Sequence, residues 1–211
     1  MEFEIAPLIY QLSMDERIKE VLTENIMLRQ ALLENEPLLT HIDKIADLTT
    51  IALKGGKKVL FCGSGDSAVD AYHLAGELSG RYYKDRPPLF AESLHMDISA
   101  LTAASSDFSL EEAYARTLQY KAREGDVLYA LSTTGDSSGI IRAIDTARQN
   151  FMIVVGMTGL RAGKMEGRCD YLLKIPSSEV PRIQEAHMMI GHIICELVER
   201  RIFGSGDRNV N

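Results

Sequence analysis

A chain of 211 residues, 45% hydrophobic and 25% charged, is long enough for one α/β domain with a full core and short for two, and its composition excludes disorder. The net charge of -7 argues against general affinity for nucleic acid or an anionic membrane, although local donors can still recruit a small anionic substrate. Cys62, Cys169 and Cys195 are odd in number with no CxxC spacing, the opening Met-Glu-Phe-Glu-Ile lacks a signal peptide, and no apolar run is long enough to span a bilayer, which together predict a soluble cytoplasmic protein.

The first expected helix carries Ile18, Val21, Leu22, Ile26, Leu28 and Leu32 at helical spacing. Pro37 interrupts it, and Leu38, Ile42, Ile45, Leu48 and Ile51 continue the pattern to the stop signal Gly55-Gly56. These two helices, spanning 1–56, have no partner within their own segment and must pack on the main domain, on a second copy, or on both. From 57 to 202 the pattern changes to short apolar runs followed by helices. Residues 59–62 lead into Gly63-Ser64-Gly65-Asp66-Ser67 and a helix from 68 to about 82. Residues 89–93 are a further candidate strand. Residues 126–131 lead into Ser132-Thr133-Thr134-Gly135-Asp136-Ser137 and a helix to about 148, and 151–157 and 171–175 are two more buried strands. A last helix starts near Pro181 and runs to about 202, leaving a loose tail over 203–211. Strands alternating with helices predict a mainly parallel sheet covered on both faces.

Ligands of such sheets bind beyond the carboxyl ends of the strands. Both glycine-containing turns stand there, each before a helix whose free amides and dipole suit a phosphate. Ser67, Ser132, Thr133, Thr134 and Ser137 add uncharged donors, though Ser67 and Ser137 are equally read as plain helix caps. Neither turn is a Walker A or dinucleotide fingerprint, so no nucleotide cofactor is expected. His73 and Glu77, four apart, share a helix face, which by itself is a surface polar pair as readily as a site. On the last helix Gln184 and His192 lie eight apart, roughly 80° around the axis, and Glu185 would align with His192 better. His41 and His95 have no partner identifiable by spacing and are read as structural or solvent-facing.

Four stretches together carry a resemblance over about 55–200: Gly63-Ser64-Gly65-Asp66-Ser67, His73-Leu74-Ala75-Gly76-Glu77-Leu78, Ser132 to Ser137, and Arg182-Ile183-Gln184-Glu185-Ala186-His187. In this ordered set the chain resembles the phosphoheptose isomerases of the SIS fold. The resemblance implies a three-layer α/β/α sandwich with a five-stranded sheet, usually a homotetramer with active sites shared between subunits. It further implies isomerisation of D-sedoheptulose 7-phosphate to D-glycero-D-manno-heptose 7-phosphate through an enediol. Glu77 is then the carbon base and His192 the oxygen-side acid/base, while His73, Glu77, Gln184 and His192 are the places of a metal, typically zinc. Ser64, Gly65, Asp66, Ser106 and Asp107 match substrate-lining positions, His187 a structural one, and Arg81 either a salt bridge or a substrate contact. Ser64, Asp66, Ser106 and Asp136 depart from the commoner Asn, Gly, Asn and Asn of the family; Asp66 and Asp136 either repel a phosphate by facing it or are capping groups at the helix N-termini facing away. Another phosphosugar isomerase, for example of arabinose 5-phosphate, and a non-catalytic SIS protein binding a partner such as the DnaA initiator remain alternatives. Members of the latter group tend to lose the carboxylate and imidazole that stand here at 77 and 192.

Overall fold

The computed structural model describes residues 15–95 and 97–204, so the opening residues and most of the expected tail lie outside it. Helix α1 (Glu16–Leu33) is capped by Asp15, whose carboxylate accepts the Arg17 amide at 2.9 Å. Only Leu32 of α1 is buried, and Ile18, Leu22, Ile26 and Met27 remain exposed. Helix α2 (Glu36–Lys54) begins with Asn35 capping the Leu38 amide, and Pro37 sits in its first turn, where a missing N–H costs nothing. Its buried stripe, Leu38, Ile42, Ile45 and Ala46, enters the main core.

The strands β1 (Val59–Gly63), β2 (Ala91–Ser93), β3 (Val127–Leu131), β4 (Ile153–Thr158) and β5 (Tyr171–Lys174) form one parallel sheet in the order β2-β1-β3-β4-β5. Residues in β1 and β3 are buried throughout, as befits central strands covered on both faces. Alternate side chains feed the two faces. Val59, Phe61, Val127, Tyr129, Leu131, Val155 and Met157 pack against α2, α3 (Asp66–Ser79) and α7 (Val180–Phe203). Leu60, Cys62, Leu128, Ala130 and Val154 pack against α5 (Leu110–Lys121) and α6 (Ser138–Gln149). The expected three-layer α/β/α architecture is therefore present.

Two helices escaped the sequence reading, α4 (Ile98–Asp107) and α5, and α3 ends at Ser79 rather than near 82. Strand order reverses between β1 and β3, which makes the crevice beyond their carboxyl ends the switch point of the sheet. The two hydroxyl-rich turns leave from these two strands, one into α3 on one face and the other into α6 on the opposite face.

A buried ion pair joins the far end of α3 to α7. Arg86 Nε donates to Glu199 Oε1 at 2.7 Å with both side chains nearly sealed from solvent. Glu199 also accepts the amides of Tyr82, Tyr83 and Lys84, and Arg86 donates to the carbonyls of Glu77, Leu78, Gly80 and Pro87. Burial alone would raise the Glu199 pKa, but Arg86 and the amides outweigh it and hold the carboxyl below its usual value.

Candidate active site

Helices α3 and α7 bring the sequence-predicted cluster together. His73 Nε2 lies 3.0 Å from Glu77 Oε1 and 3.1 Å from His192 Nε2, and the three donor atoms fall within 4.8 Å of one another. The helices approach this closely because Gly191 lies against Leu74, where an added Cβ would stand 2.5 Å from the leucine Cδ2. Tyr82 covers the other side of His192 at 5.9 Å between ring centroids.

One proton cannot satisfy this arrangement. If His73 Nε2–H donates to Glu77, the same nitrogen has no lone pair left for His192, and if it does not, it faces a carboxylate lone pair. A positive charge among the three atoms removes the conflict. Separations of 3.0 and 3.1 Å are close to the roughly 3.3 Å expected between ligands on zinc bonds of about 2.0–2.1 Å. The donor set of two imidazoles and a carboxylate therefore fits a zinc-type ion. Burial, and then the neighbouring His73, lower the His192 pKa against the opposing pull of Glu77, so His192 is neutral at pH 7.

A groove of ≈ 640 Å³ opens beside the cluster. Gln184 and His192 both line it from α7 despite their eight-residue separation, together with Arg29 of α1, Asp70 of α3 and Tyr82. Arg29, Asp70 and Tyr82 were not singled out from the sequence. Asp70 was legible, being three residues before His73 and seven before Glu77 on one helical face. Its Oδ2 is buried without a hydrogen-bond partner, and burial, then Asp66, raise its pKa while His73 lowers it.

The turns stand where the sequence put them. Ser64, Gly65 and Asp66 are exposed, and Ser67 is buried inside the first turn of α3. His73 follows Ser67 by six residues, roughly 9 Å along the axis. Neither serine is a side-chain cap: Gly65 holds the cap position of α3, and Ser137 holds that of α6 without a capping bond. Ser132 Oγ accepts the Gly135 amide at 3.1 Å and Thr134 Oγ1 the Asp136 amide at 3.3 Å, which leaves both hydroxyls able to donate outward. The Thr133 carbonyl accepts the Gly159 amide at 3.1 Å. Gly135 has φ 71°, and a Cβ there would meet Ala162 O at 2.0 Å, so only glycine fits. Asp136 is exposed, and its Oδ1 accepts the Lys164 amide of the adjacent 163–165 turn at 3.0 Å.

Ser106 and Asp107 are exposed at the end of α4, and Asp107 lines a separate groove with Phe108 and Arg116. Arg81 is exposed after α3 and pairs with no carboxylate among the described residues. His187 is fully buried in the core face of α7, with its pKa lowered to about 4 by burial. His41 meets Tyr171 edge-on, and His95 has partners the sequence did not reveal.

Residues 25–159 match the family model described as the SIS domain. The chain is 44% identical to a phosphoheptose isomerase of Aneurinibacillus thermoaerophilus over 90% of its length and 96% of that protein. It is 45% identical to one from Burkholderia pseudomallei, strain K96243, over 82% of its length and 88% of that protein. Among solved structures, phosphoheptose isomerase GmhA from Neisseria gonorrhoeae superposes with a TM-score of 0.82 at 32% identity, covering 89% of this chain and 99% of that one. A phosphoheptose isomerase from Francisella tularensis gives 0.84 at 28% identity, covering 90% and 100%.

Proposed function

The chain belongs to the phosphoheptose isomerase family of SIS-domain proteins, and from that premise we propose that it converts D-sedoheptulose 7-phosphate to D-glycero-D-manno-heptose 7-phosphate through an enediol. The observation that carries this reading is the convergence of Glu77 with His73 and His192, the last of which lines the adjoining groove.

Ketose–aldose conversion moves a proton between adjacent carbons. Glu77 takes the proton from the carbon beside the carbonyl and returns it to the neighbouring carbon, and neutral His192 carries the proton exchanged between the two oxygens. Glu77 Oε1 is the atom held at His73, which leaves the second carboxylate oxygen for the substrate. The turns at 63–67 and 132–137 hold the phosphate with Ser64, Gly65, Ser67, Ser132, Thr133, Thr134, Ser137 and the helix amides behind them, with Asp66 at the rim. Gln184 meets the sugar hydroxyls from the groove wall. Where zinc is bound, His73, Glu77, Gln184 and His192 would hold it, and it would supply Lewis-acid polarisation of a substrate oxygen in place of the lone pairs that Glu77 and His192 otherwise use for proton transfer.

The protein works as a cytoplasmic homotetramer with active sites shared between subunits, where Ser106 and Asp107 reach the substrate. The exposed apolar stripe of α1 supports association of copies. Among the described residues no helix is long and apolar enough to cross a membrane. The domain division follows the same reading, with 1–56 as N-terminal helices packing on the core or a neighbouring subunit, 57–202 as the SIS domain, and 203–211 as the tail.

The test is to incubate purified protein with sedoheptulose 7-phosphate, with and without zinc, and follow the product by NMR. Glu77→Gln and His192→Gln each lose about 10²–10⁴-fold in turnover while still binding inorganic phosphate. Full activity in either variant removes that residue from its assigned role.

A further inference from the structure

Strand β1 runs one ladder partner short where it matters most. Phe61 O accepts the Leu94 amide at 2.9 Å, and parallel pairing turns alternate carbonyls to the same neighbour, so Gly63 O also faces the β2 side. Strand β2 has already ended at Ser93. The imidazole of His95 stands in its place, with Nε2 2.9 Å from Gly63 O and 2.9 Å from the Tyr114 hydroxyl on α5. Nδ1 lies 2.7 Å from Ser93 Oγ, and the ring meets Tyr114 edge-on at 5.0 Å. A carbonyl oxygen can only accept, so Nε2 carries the proton and Nδ1 accepts from the serine hydroxyl. Burial lowers the His95 pKa, against the opposing effect of the Gly63 carbonyl, which favours this neutral form.

We propose that His95 is a positioning residue that fixes the Gly63–Ser64 peptide plane and thereby aims the substrate-binding turn. In a trans peptide the N–H points opposite to the C=O. Pinning Gly63 O toward β2 turns the Ser64 amide toward β3, whose own turn carries Ser132 to Ser137. The first turn then leaves the sheet in one direction, beside the switch-point crevice. This rests on the reading of that turn as phosphate-binding, and it assigns His95 a role that its spacing in the sequence gave no hint of.

The experiment compares wild type with His95→Phe, His95→Gln and Ser93→Ala by isomerase kinetics, calorimetric titration of inorganic phosphate, and long-range ¹H–¹⁵N spectra of the histidine rings. His95→Phe raises KM and the phosphate Kd about tenfold, the effect of one lost hydrogen bond, with kcat nearly unchanged. His95→Gln, whose amide N–H reaches the same carbonyl, restores both to within about threefold of wild type. In the wild type the His95 ring shows a proton on Nε2 alone. If His95→Phe does not fold, Ser93→Ala leaves the ring in place, mixes its tautomers and raises KM by a smaller factor. An unchanged KM in a folded His95→Phe, a His95→Gln as impaired as the phenylalanine variant, or a proton on Nδ1 overturns the proposal. A wild type that binds phosphate but does not isomerise the heptose would sink the isomerase reading alone, because the titrations and the ring spectra still decide His95.

Discussion

Replacing Glu199 with glutamine removes one charge from the buried tie between α3 and α7 while keeping its shape. The carboxylate receives Arg86 Nε and the Tyr82 amide on Oε1, and the Tyr83 and Lys84 amides on Oε2. The glutamine amide nitrogen must face donors on one side, and Arg86 is left as an uncompensated charge with its side chain 1% exposed. Breaking a buried pair from one side costs about 3–5 kcal/mol, a large share of the roughly 5–15 kcal/mol that holds a domain together. The folded-state pKa of Glu199 is depressed, so its contribution is present above the unfolded value of 4.5 and is lost as pH falls through the folded value. Urea unfolding followed by circular dichroism at pH 7 and again below pH 4 therefore shows a wide gap between wild type and variant that narrows in acid. Because Arg86 Nη2 also donates to Glu77 O at 2.9 Å, turnover falls too, while phosphate binding persists. A loss below about 1 kcal/mol at pH 7, or an equal gap at both pH values, would refute the reasoning.

Three further outcomes are expected. Elemental analysis of purified protein finds about one zinc per subunit, His73→Ala loses most of it, and chelation lowers turnover of the wild type. Gly135→Ala, forced against Ala162 O at positive φ, destabilises the protein and weakens phosphate binding, whereas Gly76→Ala on the open face of α3 stabilises it by about 0.5–1 kcal/mol; thermal melts and phosphate titration separate the two. His187, with its folded pKa near 4 and an unfolded value of 6.5, takes up its proton only on unfolding, so stability falls by about 3 kcal/mol as pH drops from 6.5 to 4. Urea titrations across that range should lose this slope in His187→Leu.

The strands were legible because central parallel strands are apolar throughout, and Val59–Gly63 and Val127–Leu131 announce themselves as such runs. Helix α4 was not, since Ala104 is its only buried residue and a helix of small, hydroxylated side chains carries no apolar stripe. Its start was nonetheless written in Asp97, which caps the Ala100 amide, and that of α5 in Ser109, which caps the Glu112 amide. At the site, spacing placed His73 and Glu77 on one face but could not join them to His192, 115 residues beyond Glu77. That contact depends on how two helices dock, and only the family resemblance pointed to it. The Arg86–Glu199 tie and the His95 contacts were hidden for the same reason, because buried polar partners distant in sequence leave no periodic trace.

The contact of Gly191 with Leu74 has a practical consequence for anyone who wishes to reshape the groove beside it. Each of these residues adjoins one of the paired imidazoles, Gly191 before His192 and Leu74 after His73, so a single methyl at 191 would act as a wedge driving the two rings apart. Met188, Met189 and Ile193 tile the cavity wall and offer room for redesign. A mutant library should vary those three and leave 191 untouched, because there the missing carbon is itself the spacer that gauges the chemistry.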